Sequence, residues 1–280
     1  MENTDVYTRL NRIACQLRED VVRMIGVGKV GHLGGSVSLA EIVATLYFHK
    51  MTYDPKNPKH PDRDRFLLSK GHTCPIQYAA LIEHGVIPRE EIAGLKTLAG
   101  MLQGHPDMDY TPGMEAVTGS LGQGLSIACG MALGLRHEKR PSRVYVVMGD
   151  GEQAEGQIWE AAMSGARYGL DNLTAFVDRN RVQATGHTKD VFDIPAIEKK
   201  WAAFGWNVLE IDGHDVVAVC EAIDTARATK GVPTIIVANT VKGKGVSFAE
   251  DTAAFHNVAL TQEQYDTALA EVIAAKESFS

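Results

Sequence analysis

Apolar and polar positions along the chain divide it near residue 140. In the first half, Leu10, Ile13, Leu17, Val21 and Met24 recur near helical spacing and predict an amphipathic helix over residues 5–25. The stretch GVGKVGHLGGSVS ends it with five glycines. Ser38, with Glu41 three residues on, suits a capping box that starts a second helix. RFLLSKGH reads as a short strand running into a loop, 74–84 as a helix, 100–120 as a long polar loop and 121–137 as a helix rich in small residues. The second half alternates. Apolar runs at 143–148, 173–177, 207–211 and 234–239 are separated by helical patterns at 156–168, 195–204 and 215–229. Strands alternating with helices predict right-handed crossovers, and unbroken apolar runs predict strands covered on both faces. The expected fold class is α/β, a parallel sheet flanked by helices, with 1–280 as one domain.

Composition adds exclusions. With 280 residues, 45% hydrophobic and 22% charged, the chain has the makeup of a globular domain. A net charge of −7 argues against nucleic acid or an anionic membrane as partner. No apolar run approaches the length of a membrane helix, and MENTDVYTRL lacks a signal-peptide core, so the cytoplasm is the expected location. Cys15, Cys74, Cys129 and Cys220 are far apart and read as reduced, buried thiols.

The chemistry concentrates where strands end. The run at 144–148 stops at Gly149-Asp150-Gly151, and the run at 173–177 stops at Asp178-Arg179-Asn180. Ligands of open parallel sheets sit outside the carboxyl ends of the strands. Asp150 and Asn180 both offer hard oxygens there, which suit Mg²⁺ or Ca²⁺ together with a substrate phosphate. A bare GDG is more often a turn and a helix cap. The full order strand, GDG, helix, strand, Asn is more specific.

That order, with GDGEQAEGQIWEAAMSGARYGLDNL, VGHLGGSVSLAEI, RFLLSKGHTCPIQYAAL, QGHPDMDYTPGMEAVTGSLGQGLSIACGMALG and TVKGKGVSF, resembles the transketolase family from about residue 20 to residue 256. The resemblance implies thiamine diphosphate and Mg²⁺, with Ca²⁺ or Mn²⁺ as substitutes. It implies that Asp150 and Asn180 ligate the metal by side chain and Val182 by its carbonyl, and that Gly151 and Asn180 contact the cofactor. Gly119 and Leu121 of the glycine loop TGSLGQG would approach it too, although many family members carry Pro where Ser120 stands. Arg179 also departs from the usual family residue, at a position that is not a ligand. Glu155 can be a plain acid at a helix start. The family places a glutamate there at the subunit interface near the cofactor.

Ten histidines are present. His32, His72 and His105 match family motifs, and His256 matches with Asn257 where His or Gly is usual. Ketol transfer moves protons on sugar hydroxyls near neutrality, which suits imidazole. The resemblance assigns His32 and His256 to proton transfer, and His72 and His105 to hydrogen bonds with cofactor and substrate near the reacting carbon. His49, His60, His84, His137, His187 and His214 receive no role. KGKG at 242–245 reads as a phosphate contact or a plain soluble turn, and the turn is preferred.

In the family, the carboxylate that activates the cofactor lies on a second domain, the pyrimidine domain. The chain ends at Ser280, soon after the diphosphate domain closes. The expected function is therefore that of the N-terminal subunit of a two-chain transketolase. The expected partner is a C-terminal subunit carrying the pyrimidine domain, in an α2β2 assembly. Ketose and aldose phosphates are the expected substrates, a branched ketose phosphate being as open as xylulose 5-phosphate. The alternatives are the α-type subunit of a 2-oxoacid dehydrogenase and a non-catalytic cofactor-binding assembly partner.

Overall fold

The computed structural model describes residues 2–98 and 100–279. The first helix, α1 (Glu2–Ile25), precedes a two-residue strand, β1 (Val30–Gly31), and two short helices, α2 (Leu33–Val37) and α3 (Ala40–Thr45). Strand β2 (Arg65–Leu68) and helix α4 (Cys74–Glu83) follow. After the polar loop come α5 (Gln123–His137), β3 (Val144–Gly149), α6 (Gly156–Arg167) and β4 (Leu173–Arg179). The chain continues through α7 (Thr188–Val191), α8 (Ile197–Ala203), β5 (Asn207–Asp212), α9 (Val216–Ala228) and β6 (Thr234–Asn239). It closes with β7 (Val258–Ala259) and α10 (Gln262–Glu277).

Five strands form one parallel sheet in the order β2-β3-β4-β6-β5. Because side chains alternate along a strand, each central strand feeds two cores. Phe66, Tyr145, Val147, Phe176 and Ile236 join the core that holds α1, α3 and α4. Leu67, Val144, Val146, Ala175, Val177 and Val237 join the opposite core, with Trp201, Trp206 and side chains of α5 and α6. Burying a large aliphatic side chain contributes about 2 kcal/mol. The unbroken apolar runs therefore fit strands covered on both faces. The expected fold class is the one observed.

Three features depart from the sequence reading. Ser38 does not start a helix: it closes α2, and its hydroxyl lies 2.8 Å from the Asp178 carboxylate. Its expected partner Glu41 is instead gripped by Arg18 at 2.7 Å and lies 3.0 Å from His214. Buried charges of this kind require partners, and that demand overrides local capping. Helix α10 was not anticipated, although its T-x-x-Q capping box is visible in the sequence. Gln264 N donates to Thr261 Oγ1 at 3.2 Å, and Thr261 N donates to Gln264 Oε1 at 3.0 Å. Strand β1 pairs antiparallel with β7, which brings the segments preceding His32 and following His256 together. Four cysteines are free and buried, as expected. Among the described residues no helix is long and apolar enough to cross a membrane.

Candidate active site

The carboxyl ends of the parallel strands open into a cavity of about 570 Å³. β3 delivers Asp150 and Gly151, and β4 delivers Asn180 and Val182. The turn after β2 delivers Lys70 and His72, and the segment after β6 delivers Lys242. His32 follows β1, His256 precedes β7 and His105 comes from the polar loop. Gly119, Leu121 and Glu155 complete the lining, so every site residue expected from the sequence faces this one cavity.

The two metal-binding candidates are tied to each other. Asp150 Oδ1 accepts from Gly151 N at 2.7 Å, and its Oδ2 accepts from Arg181 N, one residue beyond Asn180, at 2.5 Å. Asn180 Oδ1 accepts from Val182 N at 3.1 Å. Burial, and then the nearby Asp178 carboxylate, raise the Asp150 carboxyl above the usual range, which marks an uncompensated negative charge that a cation would relieve. Arg181 adopts φ 61, so the turn between the strand end and Val182 is left-handed at a non-glycine residue.

The imidazoles form a cluster. His32 lies 4.8 Å from His72, 5.3 Å from His256 and 6.4 Å from His105, and His72 lies 5.3 Å from His256, measured between ring centroids. Burial first, and neighbouring cations second, favour the neutral rings. His32 is pushed down to about 3 by burial, His256 and Lys96. His72 is pushed down to about 2 by burial and Lys70. His256 is pushed down to about 4 by burial and Lys242. His105 moves down by burial and Lys96. At neutral pH the cluster is a set of uncharged donors and acceptors.

Several residues here escaped sequence reasoning. Asp178 is fully buried and meets Lys70 Nζ at 2.5 Å, with Ser38, Thr240 and Asn180 as further donors. Burial alone would raise its carboxyl, but Lys70 and the donors hold it low. Glu152 accepts from Ser69 Oγ at 2.5 Å, Gly122 N at 2.8 Å and Gly149 N at 2.9 Å, and so ties the glycine loop to the GDG turn. Lys242 overturns the plain-turn reading of KGKG. It is 2% exposed, and its ammonium donates to Val182 O at 2.8 Å. A lysine spaced by glycines looks solvated in sequence, and only the packing reveals it as buried. His214 and His84 serve structure: His214 Nε2 accepts from Val241 N at 2.9 Å, and His84 stacks on Phe48.

A diphosphate and a cation fit these residues. Glycine is required where backbone must lie close to a ligand. A Cβ at Gly151 would stand 2.8 Å from Gln183 Cγ, and one at Gly119 would stand 2.7 Å from His105 Cδ2, so side chains there would fill the cradle. Asp150 and Asn180 offer hard oxygens at adjoining strand ends. The Val182 carbonyl already accepts from Lys242, and its second lone pair is left for a cation. Among the described residues no group of three His, Cys, Asp or Glu side chains offers a competing metal site.

Comparison with known proteins agrees with the geometry. A family model described as the thiamine diphosphate-binding domain of transketolase matches residues 10–279. The chain is 46% identical over 256 residues to a 6-deoxy-6-sulfo-D-fructose transketolase subunit of Clostridium sp. (strain MSTE9), covering 91% of this chain and 93% of that one. It is 42% identical over 255 residues to an apulose-4-phosphate transketolase subunit of Phocaeicola vulgatus, covering 91% and 90%. The solved transketolase of Campylobacter jejuni superposes with a TM-score of 0.88 at 27% identity, over 97% of this chain and 46% of that one. The chain thus spans a little under half of that transketolase, and nearly all of the two subunits. Motifs, sheet topology and the strand-end cavity converge, and the chain belongs to the transketolase family, whose thiamine diphosphate-binding domain it carries.

Proposed function

We propose that this chain is the diphosphate-binding subunit of a two-chain transketolase, and that it moves a ketol unit from a ketose phosphate to an aldose phosphate. The observation that carries the reading is the neutral cluster of His32, His72, His105 and His256 facing the Asp150–Asn180 strand ends across one cavity. In this reading Mg²⁺ is held by Asp150, Asn180 and the Val182 carbonyl, with Ca²⁺ or Mn²⁺ as substitutes. Gly119, Leu121, Gly151, Asn180 and His72 hold the cofactor. Bound thiamine diphosphate supplies the electron sink for cleaving the bond beside the ketose carbonyl.

The chain's own residues handle protons. Lys242 Nζ occupies Nδ1 of His256 at 2.8 Å, which leaves Nε2 of that ring for substrate. His32 faces the cavity as a neutral ring, placed to take a proton from a sugar hydroxyl and return it once the negative charge of a bound diphosphate offsets the burial, His256 and Lys96 that hold its basicity down. His105 donates toward the developing oxyanion. Residues 1–280 act as one domain, in the cytoplasm, where buried free thiols stay reduced.

The partner is a second chain carrying the pyrimidine domain and its activating glutamate. Two such pairs assemble around a two-fold axis as α2β2, with Glu155, exposed at the cavity edge, at the interface. The substrate carries an anionic group, as the names of the two subunit relatives suggest for theirs. The test is to purify the chain with and without its partner chain, add Mg²⁺ and thiamine diphosphate, and assay a panel of ketose phosphates and a sulfonated ketose. Ketol exchange only by the pair is expected. Robust exchange by this chain alone would overturn the two-chain reading, and decarboxylation of a 2-oxoacid without exchange would overturn ketol transfer.

A further inference from the structure

We propose that Asp178 is the positioning residue that keys the side-chain amide of Asn180, turning its oxygen toward the metal position and its nitrogen away. The inference deepens the proposed function, since it rests on Asn180 being a metal ligand.

An asparagine amide has a donor end and an acceptor end, and only its hydrogen-bond network decides which points where. Here the network decides. Asn180 Nδ2 lies 2.8 Å from Asp178 Oδ2, and Asn180 Oδ1 accepts from Val182 N at 3.1 Å. An ionised carboxylate accepts only, so the amide oxygen cannot take the place of the nitrogen against it. A flipped amide would also set its NH₂ group against the Val182 N–H. Both contacts therefore select the same rotamer, the one that offers a lone pair to a cation.

Asp178 is in turn immobile. It is fully buried, and its Oδ2 also meets Lys70 Nζ at 2.5 Å and Ser38 Oγ at 2.8 Å, while Thr240 bonds Oδ1. These donors stand at the ends of β2, α2 and β6, so the carboxylate that orients the ligand is fixed by three neighbouring segments. A charge buried this deeply is costly unless paired and hydrogen-bonded, and Lys70 supplies the countercharge. The pairing also accounts for asparagine at position 180. An aspartate there would set two carboxylates within hydrogen-bond distance of each other, whereas asparagine donates to the first and still presents an oxygen.

Outer residues that orient metal ligands typically change affinity by about 10–100-fold when altered. The test uses the full chain with its copurified partner, and reads thiamine diphosphate binding calorimetrically across a Mg²⁺ series. Asp150→Ala is the control. If it binds cofactor with unchanged Mg²⁺ dependence, the metal reading itself fails, whatever Asp178 does. With that control lost as expected, Asp178→Asn and Asn180→Asp should each weaken the apparent Mg²⁺ affinity at least about tenfold. In an Asn180→Ala background there is no amide to orient, so adding Asp178→Asn should weaken Mg²⁺ affinity far less than it does in the wild type, whereas a merely structural role of Asp178 would cost the same in both backgrounds. Unchanged Mg²⁺ affinity in a folded Asp178→Asn variant, or an equal loss in the two backgrounds, would overturn the proposal. If Asp178→Asn does not fold, Thr240→Val, which removes the donor to Asp178 Oδ1 and leaves Lys70 in place, takes its position in the same cycle with the same two outcomes.

Discussion

Lys242 Nζ lies 2.8 Å from Nδ1 of His256, and the same ammonium donates to the Val182 carbonyl at 2.8 Å. One buried cation thus fixes the tautomer of an imidazole and touches the loop that carries Asn180. Lysine offers donors only, so His256 Nδ1 is an acceptor, and the proton of the neutral ring sits on Nε2. Burial, and then Lys70, bring the Lys242 ammonium down to about 8. Lys242→Met removes a positive neighbour of His256. We expect the His256 imidazole, pushed down to about 4 by burial and then Lys242, to titrate at higher pH in the variant than in the wild type. A histidine-resolved NMR titration of the wild type and the variant checks this, and an unmoved His256 would remove Lys242 as its partner.

His32→Ala and His256→Ala are expected to lower turnover by about 10²-fold or more while changing cofactor affinity far less, as groups acting in proton transfer should. Steady-state rates at saturating cofactor, set beside calorimetric titrations, separate the two quantities. Wild-type turnover in both variants would return these rings to a structural role.

The folded chain without cofactor should be acid-sensitive. Burial and neighbouring cationic groups push His32, His72 and His256 down to about 3, 2 and 4 in the fold from the ordinary 6.5. Because the folded values are depressed, the unfolded chain binds more protons below 6.5, and stability falls as pH drops from there toward the folded values. After allowing for partial exposure, each ring contributes on the order of 1 kcal/mol of loss by pH ~5. Urea unfolding at neutral and mildly acidic pH measures it. His72→Asn should flatten the dependence, since it removes the ring most strongly held neutral by burial and Lys70.

Gly119→Ala is expected to damage both fold and site. Gly119 has φ +148, where side chains are strained, and its Cβ would stand 2.7 Å from the His105 ring. A stability loss of about 1–3 kcal/mol is expected, together with weaker cofactor binding as His105 is displaced. Thermal unfolding and a cofactor titration report the two effects, and a variant with wild-type values in both would mean that the loop relaxes freely.

The local code was legible for elements whose partners are near in sequence or supplied by general burial. The apolar runs at 144–148, 173–177 and 234–239 became β3, β4 and β6 because strands covered on both faces need little more than continuous apolar side chains. Asp150 and Asn180 were legible because a parallel sheet gathers its strand ends on one edge. Helix α10 carries a local start signal as well, its capping box standing at Thr261 and Gln264. The roles of Ser38, Lys70, Asp178 and Lys242 were decided only in three dimensions. Ser38 and Asp178 are 140 positions apart, and Lys70 and Asp178 are 108 apart. Such contacts leave no periodic trace. Local spacing makes Ser38 a cap and Lys242 a soluble turn, but a fully buried carboxylate needs a cation and several donors. The tertiary structure drew those donors from wherever the sheet brought them within reach.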